Sequence, residues 1–135
     1  MGGLTKFMDR CFLIDDDKIF NLISSKMIER SGWECEVVVF NSAELALKQL
    51  NLDLNHPELI PVLVLLDIRM PDMDGITFLH NLNEFPADLI ESIKVFILSS
   101  SLDERDKEMA NQFPMVKGFL SKPLSIADLN QIIHN

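Results

Sequence analysis

A chain of 135 residues with 21 Asp and Glu against 12 Lys and Arg carries a formal charge of −9. That balance excludes direct nucleic-acid binding, which needs clustered basic residues on one face. The length suits a single domain over 1–135 with its own core and no separate output domain. With no run near the roughly 20 apolar residues of a membrane span, and no apolar core in Met1-Gly2-Gly3-Leu4-Thr5-Lys6, a cytoplasmic protein without membrane insertion is expected.

The first apolar run, Cys11-Phe12-Leu13-Ile14, reads as a buried strand and ends in Asp15-Asp16-Asp17. Ile19, Phe20, Ile23, Met27 and Ile28 then recur at helical spacing, predicting a helix over about 17–31 that Gly32 stops. Glu36-Val37-Val38-Val39-Phe40 is a β-branched second strand, and Asn41 with Glu44 resembles a capping box ahead of Leu45, Leu47 and Leu50. The stretch 51–60 reads as a loop. A third strand, 62–66, runs into Asp67. Met70-Pro71-Asp72-Met73-Asp74-Gly75 is turn chemistry leading into a helix over about 76–83. The fourth strand, 94–98, ends in Ser99-Ser100-Ser101, and a charged helix over about 102–112 stops at Phe113-Pro114. The fifth strand, 116–120, leads to Ser121-Lys122-Pro123, after which Ser125 with Asp128 caps a helix running to the end. Cys11 and Cys35, near the starts of two strands, read as reduced core thiols, and His56, His80 and His134 as scattered surface or satisfied residues.

Five β-α alternations imply an α/β, doubly wound five-stranded parallel sheet of the flavodoxin-like (βα)5 type, with strand order 2-1-3-4-5. Ligands bind at the carboxyl ends of such strands, and the switch point falls between the strands ending in Asp15-Asp16 and Asp67. Three converging carboxylates repel one another unless a cation joins them. Mg²⁺ or Mn²⁺ suits the set, with Asp16 and Asp67 as direct ligands, Asp15 holding a water and the backbone carbonyl of Arg69 completing the sphere. An Asp67 carboxylate beside a cation, the Lys122 ammonium and the Ser99 hydroxyl can attack a phosphoryl group to form an acyl phosphate.

Phe12-Leu13-Ile14-Asp15-Asp16-Asp17, Leu65-Leu66-Asp67-Ile68-Arg69-Met70-Pro71-Asp72-Met73-Asp74-Gly75, Phe96-Ile97-Leu98-Ser99-Ser100 and Lys122-Pro123, in that order, resemble the receiver domains of two-component response regulators. The resemblance runs from Cys11 to the C-terminus. It implies that Asp67 accepts phosphate from the phosphohistidine of a sensor histidine kinase or histidine phosphotransfer protein. It further implies that Asp15 and Asp16 serve Mg²⁺, Ser99 is a switch hydroxyl, Lys122 contacts the phosphoryl group, Phe119 is the switch aromatic, and the Lys122-Pro123 bond is cis. The protein is then a phosphorylation switch that binds a downstream partner rather than an enzyme, as a monomer or a weak phosphorylation-dependent dimer. Departures are Ser99 where Thr is frequent, Ser100 where Ala is frequent, and Phe119 in place of tyrosine.

A phosphorelay intermediate that passes phosphate to a second histidine is the alternative. A haloacid-dehalogenase-like phosphatase needs a second Asp two positions after the nucleophile, where this chain has Arg69. A flavin-binding module needs a phosphate loop after the first strand, where Asp15-Asp16-Asp17-Lys18 repels phosphate. Arg69 and Ser101 flank the approach of a water to a phosphorylated Asp67. An arginine lying across the phosphoryl group, with no water-orienting side chain at 101, predicts slow autodephosphorylation.

Overall fold

Apolar runs become strands here because both faces of the sheet are covered, which removes the alternation seen in half-exposed sheets. The structure is a computed structural model and describes residues 8–134, so the Met1–Lys6 segment and Asn135 lie outside the described residues. In chain order the elements are β1 (Asp9–Ile14), α1 (Lys18–Arg30), β2 (Cys35–Phe40), α2 (Ala43–Leu52), a 3-10 turn (Pro57–Leu59), β3 (Leu63–Leu66), α3 (Gly75–Leu82), α4 (Ala87–Ser92), β4 (Lys94–Ser99), α5 (Glu104–Ala110), β5 (Val116–Ser121) and α6 (Ile126–Ile133). All strands pair in parallel in the expected order β2-β1-β3-β4-β5.

One sheet face buries Phe12, Ile14, Val64, Leu66 and Ile97 against α2, α3, α4 and α5. The other buries Leu13, Leu65 and Leu98 against Phe20 and Ile28 of α1 and Leu129 of α6. Burial of one such side chain contributes about 1.5–3 kcal/mol, so these two layers hold the strand ends in place.

Several local expectations are corrected. α1 buries Phe20, Asn21, Ser24 and Ile28, while Ile19 and Ile23 of the predicted stripe are 72% and 41% exposed. Ser42, not Asn41, caps α2, its hydroxyl accepting from the Leu45 amide at 3.2 Å. The 51–60 connection contains the end of α2 and the 3-10 turn. α4 was not anticipated, since six residues behind Phe85-Pro86 are too short to show a period. α5 is shorter than 102–112: it starts at Glu104 because Asp103 caps it, accepting from the Asp106 amide, and it ends at Ala110.

Other expectations hold. Gly32 has φ +82° just beyond the end of α1, a conformation glycine adopts without steric penalty. Ser125 caps α6 by accepting from the Asp128 amide at 3.0 Å. Lys122-Pro123 is cis. Both cysteines are free. Burial raises the Cys11 thiol well above its ordinary pKa, and burial together with Asp9 pushes Cys35 to about 11, so both stay protonated and unreactive. All three histidines are exposed. No helix among the described residues is long and apolar enough to cross a membrane.

Candidate functional site

Four strand ends meet on one rim because sheet hydrogen bonds continue one residue beyond the strands. The Asp15 amide donates to the Phe40 carbonyl at 3.1 Å, Asp67 to Ile14 at 2.9 Å, and Lys122 to Ser99 at 3.0 Å. Asp15 and Asp67 follow buried strand residues and are buried themselves, whereas Asp16 is exposed. One carboxylate oxygen from each of Asp15, Asp16 and Asp67 lies within 4.8 Å of the others.

Lys122 closes the pocket from β5. Its Nζ is 2.6 Å from Asp15 Oδ2 and 3.6 Å from Asp67 Oδ2. The same ammonium sits 4.3 Å from the centroid of the Phe20 ring, a cation–π contact that holds it over α1. Asp15 is fixed on its other side as well, Oδ1 accepting from the Asp17 amide at 2.9 Å. Asp17 itself caps α1, its Oδ1 accepting from the Ile19 and Phe20 amides, each at 3.0 Å.

Asp67 carries the electrostatic tension of the site. Burial first, then the Asp15 charge, pushes its pKa up to about 6, against the lowering pull of Lys122 and the Arg69 amide, which donates to Asp67 Oδ1 at 3.3 Å. One lysine against three carboxylates leaves an excess of negative charge. Clustered hard oxygen donors with that excess fit a divalent cation.

The expected residues thus assemble, with two qualifications. Ser99 is buried on the rim, but its hydroxyl donates to the Ser101 carbonyl at 3.1 Å and accepts from the Ser101 amide at 3.2 Å. The Arg69 backbone stands at the site through its amide, but its side chain is not laid over the carboxylates; Nη2 is 2.6 Å from Asp106 Oδ2. Phe119 lies on β5 beside Ile97, half-buried against the larger core cluster.

Three contributors carried no sequence signal of a part in the site. Asn21, buried in α1, donates from Nδ2 to the Asp15 carbonyl at 2.8 Å. Phe20 supports Lys122, although helical spacing marked it only as core. Gly75 donates to the Ile68 carbonyl at 3.0 Å. A Cβ there would lie 2.8 Å from Ile68 Cα and 2.9 Å from the Asp67 carbonyl oxygen, so only glycine lets α3 press against the backbone that carries Asp67.

The chain is similar along almost its whole length to several regulatory and signalling proteins. A two-component response regulator from Cytophaga hutchinsonii superposes with a TM-score of 0.86 at 29% identity, covering 96% of each chain. The probable methanogenesis regulatory protein FilR2 of Methanothrix harundinacea is 27% identical over 90% of this chain and 76% of its own length. The KDP operon transcriptional regulatory protein KdpE of Escherichia coli is 28% identical, and there the match spans 90% of this chain but only 48% of the relative. The family model for the response regulator receiver domain matches residues 11–134. A buried aspartate between two acidic neighbours and a lysine, on a sheet of this order, within a match of that extent, places the chain in the response regulator receiver domain family.

Proposed function

We propose that Asp67 is the phosphoacceptor of a cytoplasmic signalling switch, loaded from the phosphohistidine of a kinase or histidine phosphotransfer protein and read by a downstream protein partner. The supporting observation is the placement of Asp67, buried at the β3 end between Asp15, Asp16 and Lys122. The ionised carboxylate is the attacking form, and a bound cation favours it against the burial and the Asp15 charge that raise the Asp67 pKa. One carboxylate oxygen forms the O–P bond as the N–P bond of the phosphohistidine breaks, and the bonding pair leaves with the histidine nitrogen, which takes up a proton. Asp15, Asp16, Asp67 and the Arg69 carbonyl are the proposed Mg²⁺ ligands. Bound Mg²⁺ would supply charge neutralisation for the phosphoryl oxygens. Lys122, 3.6 Å from Asp67, adds a positive charge of its own at the pocket, and Ser99 must leave Ser101 to donate to a phosphoryl oxygen.

Approach by a histidine-bearing partner is favoured over α1. Ile19, Leu22 and Ile23 are 72%, 59% and 41% exposed beside the acidic rim, an apolar patch with no role in the core. Turnover is not required of such a protein, whose product remains attached to it. Incubation with acetyl phosphate, read by intact mass, tests the assignment. One phosphate is expected on the wild type only with a divalent cation, and a phosphate gained at the same rate by Asp67→Asn would refute it.

A further inference from the structure

Arg69 follows the acidic pocket yet points its charge elsewhere. Its Nη2 lies 2.6 Å from Asp106 Oδ2 and 3.5 Å from Asp103 Oδ2, on residues 37 and 34 positions later. Those carboxylates belong to the start of α5. Asp103 caps the helix, its Oδ1 accepting from the Asp106 amide at 2.8 Å. The Asp106 side chain is mostly covered at 15% exposure, while Arg69 is 61% exposed. The loop after β3, whose Arg69 amide also donates to Asp67, is therefore clasped to the helix that follows Ser99.

We propose that this ion pair is a latch opened by phosphate on Asp67, with the guanidinium passing from Asp106 and Asp103 to the phosphoryl oxygens. The idea rests on Asp67 being the phosphoacceptor. A phosphoryl group brings about two negative charges within reach of a side chain rooted two residues away. Arginine matches phosphate oxygens with a planar fork of donors. The competing pair is partly solvated, so little holds the side chain back. Departure of Arg69 leaves the Asp103 cap intact, so α5 stays helical but loses its tie to the loop. The same movement brings Arg69 across the phosphoryl group, the position that shields it from water.

Beryllofluoride with Mg²⁺, a stable mimic of the acyl phosphate, provides the test in four proteins: wild type, Asp106→Asn, Arg69→Gln and the double variant. Fluorine NMR reports binding at Asp67, and amide exchange reports on residues 104–107. In the wild type, beryllofluoride should speed exchange at the start of α5 several-fold. Asp106→Asn should show that faster exchange already in the free protein and bind beryllofluoride about two- to fivefold more tightly, the worth of one partly exposed ion pair. In the Arg69→Gln background, Asp106→Asn should change neither quantity, which separates the latch from simple removal of a negative charge. Unchanged α5 exchange in a wild type that binds beryllofluoride would overturn the latch alone, as would an Asp106→Asn effect that persists without Arg69. No binding by the wild type would overturn the phosphoacceptor assignment and the latch with it.

Discussion

Replacing Asp67 by Asn keeps its shape and removes one charge from a place where the fold opposes it. Burial and Asp15 raise the Asp67 pKa from 3.8 to about 6 in spite of Lys122 at 3.6 Å. A raised folded pKa means that the native state prefers the neutral acid. Stability from that preference is complete below the unfolded value and is lost as pH rises through the folded one, between about 4 and 6 for Asp67. At about 1.4 kcal/mol per pKa step, ionised Asp67 opposes folding by at most about 3 kcal/mol, and water at the open Asp16 side of the rim reduces this to about 1–3 kcal/mol. Urea denaturation of both proteins in EDTA should therefore find Asp67→Asn about 1–3 kcal/mol more stable at pH 7.5, with the gap closing near pH 4. Saturating Mg²⁺ should then stabilise the wild type by about 2.7 kcal/mol at a hundred times its dissociation constant, and Asp67→Asn by less. A variant less stable than the wild type at pH 7.5, or a gap that ignores pH, would refute the electrostatic account of the pocket.

Two further substitutions test how the rim is held. Gly75→Ala should destabilise by about 1–3 kcal/mol, because the new methyl meets backbone atoms of Asp67 and Ile68 that cannot swing aside. Helix propensity alone predicts the opposite sign, so a thermal melt showing a more stable Gly75→Ala would remove the close-approach argument. Asn21→Ala strips the buried Asp15 carbonyl of its side-chain donor and should cost about 1–3 kcal/mol in denaturant melts while weakening Mg²⁺ binding in a calorimetric titration. Unaltered stability and cation affinity together would show that Asn21 does not brace the site.

Much of the molecule is legible in the chain because its signals are local. Buried parallel strands read as unbroken apolar runs, so β1, β3 and β4 and the residues at their ends could be placed from the chain alone. Ser125 with Asp128, and Gly32 past α1, are likewise backbone devices that complete themselves within a few residues. Five β-α alternations pointed to the common doubly wound order, and that order brings Asp15, Asp67 and Lys122 together.

What required the tertiary structure is each choice among partners that spacing leaves equal. In α1 the apolar residues cover more than one face, and only packing on the sheet decided that Phe20 and Ile28 turn inward while Ile19 and Ile23 remain in solvent. The direction of Arg69 is of the same kind, since a long charged side chain near two sets of carboxylates settles where geometry and solvation allow, and α5 offers Asp106 at 2.6 Å. Asn21 and Gly75 matter through the Asp15 carbonyl and the Ile68 backbone they meet, and those neighbours exist only once the chain has folded. Local patterning determined the strands and which residues end them; long-range packing, which selects among rotamers and faces of nearly equal local energy, decided what each of those residues touches.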